Sequence, residues 1–229
     1  MTFSERAIQF YLNQHEPAGL PMGVSAMNPY ADPVVQDIIT QFYTKFYTDQ
    51  QPRVFILGIN PGRFGAGVTG LSFTTPQNLA RYCGIPNNLP PTPELSSRFI
   101  YKVIDAFGSV DAFYGRFFLS SLYPLALVKD GKNYNFYDDK ATTQALWPVM
   151  IDSLQQQQTF GCDRRTAICL GRKNETFLKK LNDQHGFFDR ILTVDHPRYI
   201  LQYRSKHLEQ YVDTYLNVLA DCLPDQFPR

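Results

Sequence analysis

Residues 53–73 read RVFILGINPGRFGAGVTGLSF, and the fold is decided by the two halves of that stretch. The first half, 53–59, is a short apolar run without strict alternation. That is the pattern of a strand buried on both faces of a parallel sheet. The second half is a loop with glycines at 62, 65, 67 and 70, residues that permit positive φ and a close approach of backbone to a ligand. Pro61 stiffens the exit from the strand. The loop neither opens a helix with G-x-G-x-x-G nor ends in Gly-Lys-Ser/Thr, so it matches neither common nucleotide-binding fingerprint.

Working outward, three further short runs read as buried strands: 116–122 (RFFLSSL), 166–170 (TAICL) and 190–194 (RILTV). Helical periodicity lies between them. Ile38, Ile39, Phe42, Tyr43, Phe46 and Tyr47 form one stripe. Thr92 reads as an N-cap with Pro93 in the first turn, and Asp138 or Asp139 caps a segment that Pro148 kinks or splits. Phe177, Leu178 and Leu181 mark another helix, and Leu208, Tyr211, Val212, Tyr215, Leu216 and Leu219 the last. Strands alternating with helices predict an α/β fold, a three-layer α/β/α sandwich with a central, mainly parallel four-stranded sheet, in one domain over 1–229. Ligands of such sheets bind beyond the carboxyl ends of the strands, so the residues after Ile59, Leu119, Leu170 and Val194 are where a site is expected. The Pro- and Asn-rich segment 22–33 is expected to cover that pocket.

Composition narrows the class. With 44% hydrophobic and 19% charged residues among 229, the chain has the material for a full core. Four cysteines in no metal-ligand spacing read as free thiols in a reducing compartment. No cofactor and no metal are expected. The N-terminal residues are polar and periodic, unlike a signal peptide, and no run approaches a membrane span, so the expectation is a cytoplasmic monomer without a membrane partner. The formal net charge of +1 hides a gradient: residues 164–207 hold ten Lys/Arg and four Asp/Glu, a net of +6 against −5 for the rest. That asymmetry suits an anionic partner, and equally a solvated helix pair.

After the fourth strand comes Asp195-His196-Pro197-Arg198-Tyr199. A lone histidine is more often structural, and His15, His185 and His207 keep that reading. His196 differs because the topology sets it beside the loop after Asn60. The pairing of Gly-Ile-Asn-Pro-Gly-x-x-Gly-x-x-x-Thr-Gly-x-x-Phe (58–73) with His-Pro-Arg (196–198) resembles the uracil-DNA glycosylase superfamily, and within it the single-strand-selective monofunctional branch, particularly its shorter bacterial relatives. The segments 118–125 (FLSSLYPL) and 170–172 (LGR) extend the resemblance.

The resemblance implies a monofunctional DNA glycosylase of base excision repair, hydrolysing the N-glycosidic bond of uracil or a related deaminated or oxidised base in single- or double-stranded DNA. By it, Asn60 positions the attacking water and His196 donates a hydrogen bond to the departing base. Phe73 stacks on that base, although a core phenylalanine is an equal reading. Gly62 and Phe64 line the pocket, Gly62 leaving room near the pyrimidine 5-position. Ser121 departs from the family's asparagine, and its single hydroxyl is expected to weaken uracil discrimination and admit other bases, xanthine or a 5-substituted uracil among them. Pro197, Arg198 and Tyr199 are candidates to fill the vacated stack, and Lys173, Arg190, Arg204 and Lys206 to contact phosphates. No lysine near the motif loops is expected to form a Schiff base. Two other classes compete. A non-catalytic nucleic-acid- or nucleotide-binding domain would not need both Asn60 and His196. A small-molecule hydrolase lacks its G-x-S-x-G elbow here.

Overall fold

The computed structural model describes residues 1–223. In chain order the elements are α1 (Phe3–Leu12), β1 (Val24–Met27), α2 (Pro33–Phe46), β2 (Arg53–Gly58), α3 (Ala66–Thr69), α4 (Pro76–Arg81), α5 (Leu95–Phe107), α6 (Val110–Tyr114), β3 (Phe117–Ser121), β4 (Ala126–Lys129), β5 (Lys132–Tyr134), α7 (Lys140–Gln158), β6 (Cys162–Leu170), α8 (Arg172–His185), β7 (Arg190–Val194), α9 (Pro197–Tyr203) and α10 (Leu208–Asp221). Four parallel strands in the order β3-β2-β6-β7 make the central sheet, and helices flank it. All six residues of β2 are buried, which is why its sequence shows no alternation. The pleat still sorts them by face. Phe55 meets the rings of Phe3 and Phe118 on the side of α1. Ile56, with Ile168 and Val194, faces Ile100 and Val103 of α5 and Tyr215 of α10. None of the described helices is long and apolar enough to cross a membrane.

A second sheet, β1-β4-β5, is antiparallel and was not foreseen from the sequence. It absorbs part of segment 22–33, which does not cover the cleft as expected. Instead the hydroxyl of Tyr30 donates to the carbonyl of Gly70 at 2.9 Å and braces the glycine loop from behind. Gly70 has φ +72°, and a Cβ on it would collide with Tyr30, Val35 and Ile39.

Two helix boundaries also differ from expectation. Thr92 does not cap α5. Its backbone is bridged to the side-chain amide of Gln77, its hydroxyl has no partner, and the helix begins at Leu95 after Glu94. Asp139 does cap α7, accepting the N–H of Thr142 at 2.8 Å, but Pro148 does not split the helix, which runs unbroken to Gln158. At the start of β2 the fully buried Arg53 is chelated by Asp49 at 2.8 and 2.9 Å and donates to the carbonyl of Tyr114, and it holds the Asp49 carboxyl below its ordinary range.

The aromatic face of β2 is expected to dominate stability. Phe55→Ala should cost about 3–5 kcal/mol, as truncation of a fully enclosed aromatic does. Urea unfolding would read this as a lower midpoint at unchanged slope; a loss below ~1 kcal/mol would mean that the two faces of the sheet are not close-packed as described.

Candidate active site

Backbone pairing ends where the parallel strands end, and polar groups emerge there. The tips of β2, β3, β6 and β7 open into a cleft of about 880 Å³. Among the expected site residues Asn60, Gly62, Phe64, Phe73, Ser121, Lys173, His196, Arg198 and Tyr199 all line it. Arg204 lies just behind, its guanidinium 5.5 Å from the ring centre of Tyr199. Pro197 does not face the cleft. It is buried at the first position of α9, where its fixed φ starts the helix, so only Arg198 and Tyr199 of that trio are exposed. Arg190 is at the opposite end of β7, paired with Asp221 at 3.1 Å. Lys206 is exposed in the turn after α9.

Asn60 is held at both ends. Its Nδ2 donates to the carbonyls of Tyr134 (3.1 Å) and Pro61 (3.2 Å), and its Oδ1 accepts the N–H of Phe136 at 3.2 Å. Donors and acceptors of opposite kind fix which way the amide points, and the second lone pair of Oδ1 remains to accept from a water. Two of the three partners belong to β5 and the turn after it, so the unforeseen sheet is the clamp of this side chain.

His196 is held as firmly. It is the N-cap of α9, and its Nδ1 accepts the N–H of Arg198 at 3.1 Å. Burial, with the charge of Arg198 second, pushes its pKa down to about 4. The imidazole is therefore neutral at physiological pH, and since Nδ1 is an acceptor the proton resides on Nε2. Gly171, at φ +99° and with its N–H on the carbonyl of Val194, leaves room for this ring: a Cβ there would be 3.2 Å from that of His196.

Phe73 adopts φ +55°, a strained conformation for a phenylalanine. The strain aims its ring over Gly58, where a Cβ would approach to 3.1 Å, and sets it 6.2 Å from the imidazole centre. Phe73 is thus partly exposed in the cleft wall as well as packed on the core. Ser121 spends its one proton on the carbonyl of Tyr123 at 2.8 Å, so toward the cleft it offers acceptor lone pairs, a narrower repertoire than a free hydroxyl.

The rim carries paired cations and rings: Arg63 stands 4.3 Å from the centre of Phe64 and Lys173 4.0 Å from that of Tyr137. Lys173, expected from the sequence as a phosphate contact, lines the cleft with its ammonium over that ring. Sequence reasoning missed the clamp at Tyr134 and Phe136 and also Glu94; Tyr134 and Glu94 line the cleft as well. Glu94 ends a proline-rich run, a composition that signals a loop and nothing more. Burial raises its carboxyl to about 7, opposed by the charge of Arg198.

The family model of the uracil DNA glycosylase superfamily matches residues 44–220. The crystal structure of SMUG2 from Pedobacter heparinus is similar at 41% identity, with a TM-score of 0.93 over 96% of this chain and 98% of that one. No curated protein matches.

The raised Glu94 carboxyl has a consequence for stability. Between its ordinary value near 4.5 and about 7, the unfolded chain ionises while the folded carboxyl keeps its proton, so the wild type loses stability as pH rises through that window. Glu94→Gln removes the loss. Thermal melts should show the variant gaining on the wild type from pH 5 to pH 8, and a difference independent of pH would mean that Glu94 is an ordinary solvated carboxylate.

Proposed function

Because the chain belongs to the uracil DNA glycosylase superfamily, we propose that it is a monofunctional DNA glycosylase that hydrolyses the N-glycosidic bond of uracil or a related deaminated or oxidised base. The observation that carries this reading is the pairing, in one cleft, of a clamped neutral amide at Asn60 with a neutral, tautomer-fixed imidazole at His196.

The bond to be broken leaves a cation-like sugar and an anionic base. A base inside a duplex is out of reach, so the nucleotide must be extruded or single-stranded. The extruded ring stacks on Phe73. Ser121, as an acceptor, takes a ring N–H. His196 donates its Nε2–H to the carbonyl oxygen next to the glycosidic nitrogen, where negative charge builds up. One such donor aimed at developing charge contributes roughly 2.7–4 kcal/mol to lowering the barrier. A neutral imidazole does this without giving up its proton, so the base departs as an anion. Asn60 orients the water that attacks the sugar; an amide is too weak a base to take its proton early, which suits a reaction in which bond breaking runs ahead of attack. Farther along the cleft wall, Arg198, Tyr199 and Lys173, with Arg204 just behind, are placed to meet the nucleic acid. The charge gradient of the sequence and the ring–cation pairs of the rim support DNA as the partner. The ammonium of Lys173 over the ring of Tyr137 favours hydrolysis over Schiff-base chemistry.

Asn60→Ala is expected to reduce single-turnover excision from uracil-containing oligonucleotides by at least about a hundredfold, scored as alkali-labile abasic sites, with the folded state intact. Wild-type rates in that variant would remove Asn60 from the mechanism, and borohydride trapping of wild-type enzyme on DNA would replace hydrolysis with a lyase route.

A further inference from the structure

Helix α7 ends in four glutamines, 155–158, and one of them is turned inward. Gln157 has no exposed surface, and nothing in the chemistry above uses it. It lies beneath the tip of β3. Its Oε1 accepts the hydroxyl proton of Ser120 at 2.6 Å. Its Nε2 donates to the carbonyl of Ser121 at 3.3 Å and to the hydroxyl of Ser153 at 3.0 Å. The amide cannot be turned round, because a backbone carbonyl only accepts. The order of the protons follows from that. Ser120 gives its one proton to Gln157, so the phenol of Tyr11, 3.3 Å away, donates to Ser120. Burial raises that phenol above its ordinary range and keeps it protonated. A one-way chain of hydrogen bonds thus runs from α1 through β3 to α7 and back to Ser121, all of it buried.

The chain ends on the peptide unit that carries the hydroxyl facing the cleft. The unit between Ser121 and Leu122 is held at both ends, its carbonyl by Gln157 and its N–H by the carbonyl of Gly58 at 3.1 Å. The next N–H, that of Tyr123, is on the carbonyl of Ile59 at 3.2 Å. This fixes Tyr123, whose own carbonyl takes the Ser121 Oγ proton at 2.8 Å. With the peptide plane and the partner of Oγ both set, the lone pairs of Oγ are left with one direction. A single rotatable hydroxyl has no second polar atom to correct its aim, as a side-chain amide has. The backbone under it does so instead. Without Gln157 the Ser121 carbonyl would be a buried acceptor with no partner, and the peptide would tilt to find one.

We propose that Gln157 is a positioning residue for base recognition: through the carbonyl of Ser121 it holds the serine hydroxyl as an acceptor for a ring N–H of the extruded base. The proposal rests on the glycosylase reading and adds to it a residue of another layer, shut off from the cleft.

The test is a double-mutant cycle on single-turnover excision from single-stranded oligonucleotides carrying uracil or xanthine. The proteins are the wild type, Gln157→Met, Ser121→Ala and the double variant. Gln157→Met should slow excision by at least roughly fivefold, the worth of one net hydrogen bond. In the Ser121→Ala background no hydroxyl is left to aim, and the same change should cost less than about twofold. Equal losses in both backgrounds would overturn the proposal, reducing Gln157 to a support of the fold. No loss in either background would overturn it as well. Gln157→Glu keeps the size of the side chain and carries the test should the methionine variant fail to fold. Burial raises the pKa of such a carboxyl, and the groups around it, Ser120, Ser121, Ser153 and Tyr11, carry no charge. Protonated, it has an O–H for the Ser121 carbonyl; ionised, it sets two acceptors face to face. Its rate relative to wild type at the same pH should therefore fall by at least roughly fivefold from pH 5.5 to pH 8.5. A relative rate that stays flat would overturn the proposal. A wild type that releases either base while the cycle is additive overturns the positioning alone. One that releases neither overturns the glycosylase reading and the positioning with it.

Discussion

The hydrogen bond from the Arg198 N–H to Nδ1 of His196 is the constraint on which the cleft depends. It uses a donor that the first turn of a helix leaves over in any case, and it converts a rotatable, titratable ring into a fixed donor. The local backbone is built to keep it. The hydroxyl of Tyr215 on α10 donates to the carbonyl of Asp195, Pro197 starts the helix, and Gly171 yields the space that the ring occupies. The acceptor role of Nδ1 and the low pKa have the same result: a proton on Nε2 that stays there through the physiological range.

Two groups beside the imidazole share this neutrality. Asn60 is an amide and Ser121 a hydroxyl with its proton engaged. Cations stand farther out along the cleft wall and at the rim, three of them over rings. Such a division suits a reaction that creates an anion from a neutral base. Fixed dipoles near the leaving group need little reorganisation as charge develops, whereas the polyanionic strand is met by charges that remain in contact with solvent.

Much of this was legible in residues 53–73 and 196–198. A buried strand has to end in a polar loop, and chirality and right-handed crossovers bring the loops after parallel strands to one edge. Local sequence therefore located Asn60 and His196 together, and the family resemblance added Phe73 and Ser121, which line the same cleft. What it could not locate depends on distant partners. The clamp on Asn60 comes from residues 134 and 136, more than seventy positions away, in a strand too short and polar to show a period and the turn that follows it. Glu94 occupies its place because Gly65 has no side chain, a relation between two loops. Pro197 read as a candidate to fill the vacated stack because it follows His196 in the recognised motif, yet proline also suits the first position of a helix. Arg190 read as a phosphate contact from charge alone, and the sheet sends it to the opposite edge, beside Asp221.

The most direct measurement is the nitrogen spectrum of the His196 imidazole, in protein labelled with ¹⁵N at histidine, followed from pH 8 to pH 5. The spectrum should keep one unprotonated nitrogen, Nδ1, and one protonated nitrogen, Nε2, across that range, with titration beginning only as pH approaches about 4. A ring that titrates near 6.5, or whose proton sits on Nδ1, would contradict the fixed neutral donor at the centre of the cleft.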